Sequence, residues 1–143
     1  MRKRKRVDVD CGVRAAWEEV ILRIQWVSFG TLTCRQARLP DEEAWKRFNR
    51  FIRHSRRIAG VPPSWYACLE YQDRGSPHFQ VLLAGIAPGL EAALGSLWQG
   101  NVELEPFDTT IRRRGVAYVT KMIPFDGDAL CGGPIFPGTR SPS

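Results

Sequence analysis

The 143-residue chain is 43% apolar and 25% charged and carries a formal charge of +6. That length gives one domain with a single core, and no apolar run approaches a membrane span or the hydrophobic segment of a secretory leader, so the expected address is the cytoplasm, with no membrane partner. Cys11, Cys34, Cys68 and Cys131 lie far apart with no CxxC pair and read as reduced thiols, which leaves zinc knuckles and redox pairs aside.

In chain order, residues 1–12 form a basic arm expected to be disordered, with "RKRKR" at 2–6 contributing +5 of the charge. Ala16, Val20, Ile21 and Ile24 recur at helical spacing, which predicts a helix over 13–26. "VSFGTLTC", 27–34, alternates as a strand, with Phe29, Thr31 and Thr33 on one face and Leu32 and Cys34 on the other. After Pro40, Asp41 is the expected N-cap of a helix running to about Arg57, whose buried stripe is Trp45, Phe48 and Ile52, with Phe51 alongside. Six Lys/Arg residues between Lys46 and Arg57, with no acid among them, surround that stripe. Concentrated positive charge of this kind suits a polyanion, because neutralised phosphates release condensed counterions; a solvated helix face is the alternative.

"GVPPS" at 60–64 breaks the chain. "WYACLEYQ", a turn at "DRG" and "PHFQVLLAG" then read as a hairpin. Pro88 opens a short helix to about Trp98, "NVELEPF" is a further strand, and 111–123 again has helical spacing. Gly, Pro and Ser dominate 126–143, expected to be a tail or an irregular flap. The domain is therefore 13–125, of α+β class: a central antiparallel sheet of about five strands with flanking helices.

The hairpin raises a chemical question. A three-residue loop, Asp73-Arg74-Gly75, with Gly75 at positive φ, sets Glu70 opposite His78, and Gln80 shares their face because side chains alternate. A four-residue loop would oppose Glu70 to Phe79 and separate the trio. Converged, a carboxylate, an imidazole and an amide oxygen suit Mn²⁺ or Mg²⁺ better than zinc; unconverged, they are an ordinary wet strand face.

Three segments in order, "FGTLT" (29–33), "PHFQVLL" (77–83) and "AYVTKMI" (117–123), resemble the three motifs of HUH-type rolling-circle replication initiators, the Rep endonucleases. The resemblance covers about Val13 to Phe125. It implies an antiparallel sheet of RRM-like topology and site-specific nicking of single-stranded DNA at a replication origin. The implied intermediate links a tyrosine to the 5′ phosphate. Carried onto this chain, the nucleophile is Tyr118, assisted by Lys121, and the metal ligands are Glu70, His78 and Gln80. Gln80 stands where most of the family has a second histidine, as in some Rep proteins of small circular single-stranded-DNA viruses. Met122 stands where many relatives have a second tyrosine, which implies a single-tyrosine enzyme.

A tyrosine with a pKa of about 10 needs a polarised phosphate and a nearby cation to react at neutral pH. Lys121 lies one helical turn beyond Tyr118 on the same face. Thr31 and Thr33 on their strand, Arg74 at the hairpin tip, and Arg112, Arg113 and Arg114 are the expected DNA contacts. Tyr66 and Tyr71 belong to the hairpin and are poor nucleophile candidates by position. The chain has no GxxxxGK[ST] pattern, so a separate helicase and a DNA polymerase are the implied partners. Two alternatives stand beside this reading: a non-catalytic single-stranded nucleic-acid-binding module on the same scaffold, and a transposase or relaxase of the same superfamily.

Overall fold

The structure is a computed structural model that describes residue 19 and residues 21–71, 75–107 and 128–136. Its elements are β1 (Trp26–Cys34), α1 (Asp41–Ala59), β2 (Ser64–Tyr71), β3 (Pro77–Ala84), α2 (Glu91–Gly95), β4 (Gly100–Pro106) and β5 (Asp128–Gly132). The strands pair antiparallel in the order β4-β1-β3-β2-β5. The fold is thus α+β, a five-stranded antiparallel sheet with two helices, and its first six elements run β-α-β-β-α-β.

Alternation along the central strands divides the sheet into two faces. One face carries Leu32, Trp65, Ala67, Leu69, Phe79, Val81 and Leu83 into the main core beneath α1. The α1 sequence supplies the matching stripe: Ala44, Trp45, Phe48, Phe51, Ile52 and Ser55 are its buried residues. The rings of Trp45 and Phe48 meet Phe79 at centroid distances of 4.8 and 4.9 Å, and Phe48 meets Trp65 at 4.8 Å. Each such buried aromatic stabilises the fold by roughly 1.5–3 kcal/mol through area alone, with about 0.5–1.5 kcal/mol more per favourable ring pair. A smaller cluster on the other face unites Ile21, Ile24, Trp26, Tyr66, Cys68, Leu82, Ala84 and Phe107.

Local details depart from the sequence expectation in several places. Pro40 occupies the N-cap of α1 and makes no side-chain cap bond, while Asp41 is the first helical residue. The Asp41 carboxylate instead accepts a hydrogen bond from the Tyr71 hydroxyl, tying the helix start to the end of β2. The helix ends at Ala59 because Gly60 takes φ 80°, the left-handed conformation a C-terminal glycine adopts freely. Trp26, expected at the end of the first helix, opens β1 opposite Ala84, and its indole donates to the Ile21 carbonyl.

Glu91–Gly95 is the helical part of the segment that opens at Pro88. Beyond it Trp98 turns inward, and its indole N–H donates to the Thr33 carbonyl at 2.9 Å. Residues 128–132, inside the stretch expected to be tail or flap, pair with β2 from Leu69 to Trp65 as the edge strand β5. "DALC" is too short, and too closely framed by Gly and Pro, for composition to mark it as a strand.

Candidate metal centre

The hairpin fixes the candidate site. Gly75 has φ 77°, the left-handed conformation that the three-residue loop requires, and its carbonyl accepts the Arg38 N–H at 2.7 Å. The register that follows pairs Glu70 with His78 and Cys68 with Gln80. On the other side of β3, β1 pairs Thr33 with His78 and Thr31 with Gln80. Five of the expected site residues, Thr31, Thr33, Glu70, His78 and Gln80, therefore share one face across three adjacent strands. Arg74, Arg112, Arg113, Arg114, Tyr118 and Lys121 lie outside the described residues.

The trio is enclosed. Glu70, His78 and Gln80 are 9%, 8% and 8% exposed, a degree of burial that two ionisable groups and an amide reach only with compensating partners. His78 Nε2 stands 3.3 Å from Glu70 Oε2. The Thr31 hydroxyl donates to Gln80 Oε1 at 3.1 Å, which turns the amide oxygen toward β1 and identifies the acceptor end of that side chain. Glu70 Oε1 and His78 Nδ1 are buried with no hydrogen-bond partner. Buried polar atoms are satisfied as a rule, and an orphaned carboxylate oxygen beside an orphaned imidazole nitrogen fits a site built for a cation.

The donor chemistry agrees with that fit. Two cis ligands of a six-coordinate ion lie roughly 3 Å apart, close to the separation between Glu70 and His78. Among the described residues no three His, Cys, Asp or Glu side chains gather as a ligand set, so the third donor here is the neutral Gln80 amide. A set of two oxygens and one nitrogen with no thiolate favours a hard ion that keeps several waters.

Two features of the site lie beyond sequence reasoning. The Thr31–Gln80 bond joins residues 49 positions apart and depends on the β1–β3 register. Glu103, opposite Thr31 on β4, brings an exposed carboxylate to the same face, two strand spacings or about 10 Å from Gln80. Alternation within "NVELEP" puts Glu103 and Glu105 on one face, but only the pairing of β4 with β1 identifies that face as the one bearing the trio.

The remaining tyrosines of the hairpin are committed to structure. Tyr66 is fully buried in the smaller cluster, and the Tyr71 hydroxyl binds the Leu39 carbonyl and Asp41 at the start of α1. No helix among the described residues is long and apolar enough to cross a membrane.

No curated protein and no solved structure matches the chain. A family model for the replication-associated protein ORF2 matches residues 27–123, a span that begins within β1, includes the whole Glu70–His78–Gln80 trio and extends past Tyr118 and Lys121. The chain therefore belongs to the replication-associated protein ORF2 family.

Proposed function

We propose that this protein is a metal-dependent, site-specific endonuclease and strand transferase that nicks single-stranded DNA to begin rolling-circle replication. The observation that carries the reading is the buried Glu70–His78–Gln80 cluster with its orphaned carboxylate oxygen and imidazole nitrogen, set in a chain of a replication-associated family. Glu70, His78 and Gln80 would hold a divalent ion, Mn²⁺ or Mg²⁺, which when bound supplies polarisation of the scissile phosphate.

The chain's own groups do the rest. Tyr118 supplies the phenolic oxygen; the Tyr118 O–P bond forms as the P–O3′ bond breaks, leaving the 5′ phosphate on the protein and a free 3′-hydroxyl. The phenolic proton is given up and the departing 3′-oxygen gains one, so the step is proton-neutral. The ester is conserved, so attack by a 3′-hydroxyl on the phosphotyrosine rejoins DNA without a nucleotide cofactor. Lys121, one turn from Tyr118, favours the phenolate by its charge. Thr31 orients the Gln80 amide, and Thr33, Arg74 and Arg112–Arg114 hold the strand through its backbone.

Gln80 gives a specific reason to keep a second reading, a non-catalytic single-stranded-DNA-binding module on this scaffold, because a neutral amide is a weaker donor than imidazole. One experiment separates the two. The protein is mixed with a degenerate pool of single-stranded oligonucleotides and Mn²⁺, and a denaturing gel is read for a covalent adduct beside Tyr118→Phe. An adduct that disappears with chelator and with Tyr118→Phe supports the nuclease; salt-sensitive binding of the pool without any adduct supports the binding module.

A further inference from the structure

The outer face of α1 is a second place where charge and geometry converge, and it lies on the far side of the sheet from the trio. At about 100° per residue, Lys46, Arg50, Arg53 and Arg57 fall within an arc of about 60°. That arc is centred roughly 180° from the helix's buried residues, so the four cations point directly away from the sheet. All four are exposed, and they form a straight row about 16 Å long. None of them makes an ion pair or side-chain hydrogen bond with a described residue, although Glu42 and Glu43 stand in the first turn of the same helix. Arg47 and Arg56 flank the row; Arg47 is held by Gln36.

What this row lacks identifies its partner. Proteins that hold single strands combine a basic track with aromatic rings on which bases stack. Every aromatic side chain of α1, namely Trp45, Phe48 and Phe51, is turned into the core, and none of the exposed large apolar residues lies on the helix. A rigid row of cations without a stacking platform matches phosphates held at fixed spacing, which is the surface of a duplex.

We propose that the outer face of α1, through Lys46, Arg50, Arg53 and Arg57, binds the phosphate backbone of double-stranded DNA, on the side of the domain opposite the Glu70–His78–Gln80 face. The interaction is independent of sequence and of metal. It does not rest on the nicking chemistry. It gives the protein two DNA surfaces with different tasks: one for duplex, one for the strand at the trio.

The test is fluorescence anisotropy with the full chain, using a 20-base-pair blunt duplex and a 20-nucleotide single strand, each over a range of salt concentrations. The comparison is between wild type and K46Q/R50Q/R53Q/R57Q, in which glutamine keeps helix propensity at exposed positions. The basic arm at 2–6 is present in both and cancels. The expected result is a loss of duplex affinity of at least tenfold, with the slope of log K against log salt reduced by about 3–4. Single-strand affinity should stay within about threefold. A second variant, R50K/R53K/R57K, keeps the charge and should retain both duplex affinity and slope. The proposal is overturned if wild type does not bind the duplex or if the glutamine variant binds it unchanged. It is equally overturned if that variant loses single strand and duplex in parallel, or if the lysine variant fails despite an unchanged melting temperature.

Discussion

From the same two strands, β2 and β3, alternate residues go to two different uses. Toward α1 go Trp65, Ala67, Leu69, Phe79, Val81 and Leu83, a continuous apolar layer. Toward the other side go Tyr66, Cys68 and Leu82, and then, nearer the turn, Glu70, His78 and Gln80. The second face is apolar where it is covered by Ile21, Ile24 and Phe107, and polar at the hairpin end. Hydrophobic burial against α1 secures the sheet, and that frees the hairpin end of the opposite face to carry buried polar groups whose orphaned atoms would be costly in a core. Stability and chemistry are separated by strand parity rather than by distance: Leu69 and Glu70 are neighbours in sequence.

If that division is correct, substitutions on the two faces should fail in different ways. The largest loss of stability is expected for Phe79→Ala, which empties the centre of the ring cluster formed with Trp45, Phe48 and Trp98. Urea unfolding should record a loss of about 3–5 kcal/mol. Gly30→Ala comes next. A Cβ at Gly30 would lie 1.7 Å from the Glu103 carbonyl oxygen, so β4 must move away from β1, at a cost of about 1–3 kcal/mol by the same assay. A normal unfolding curve for either variant would break the account of what holds the sheet.

Thr31→Val sharpens the comparison from the other face. It removes the hydroxyl that orients Gln80 and should lower Mn²⁺ affinity by roughly tenfold in calorimetry, while Thr31→Ser keeps it. Stability should fall by only about 0.5–1.5 kcal/mol. The smallest effect concerns the thiols. Burial pushes Cys34 up, partly opposed by Arg47, and burial pushes Cys131 up as well. Both folded thiols therefore hold their protons to higher pH than unfolded ones, and stability should decline as the pH rises above 9.0. Thermal melts at rising alkaline pH should show a smaller decline in Cys34→Ala/Cys131→Ala.

Much of this arrangement was legible in the sequence, and the reasons are local. Gly75 after Asp73-Arg74 dictated a loop length, the loop length dictated the Glu70–His78 register, and period-two alternation placed Gln80 beside them. The α1 stripe was legible because three aromatics recur at helical spacing in a run with no other reason to hold them. What escaped depends on long-range pairing. The Thr31–Gln80 bond needs β1 beside β3, Glu103 needs β4 beside β1, and β5 becomes a strand only because β2 offers it an open edge. The start of α1 escaped for a different reason: Asp41 was free to cap its own helix, and the Tyr71 hydroxyl, 30 residues away, takes its carboxylate instead.

The central claim is that the polar end of the sheet's second face is a cation site. It is tested most directly by titrating Mn²⁺ into the metal-free protein in an isothermal calorimeter, with His78→Ala in parallel and thermal melts of both without metal. The account predicts one saturable Mn²⁺ site in the wild type, no measurable site in His78→Ala, and closely similar metal-free melting temperatures. Equal Mn²⁺ binding by the two proteins, or no binding by either, would contradict it.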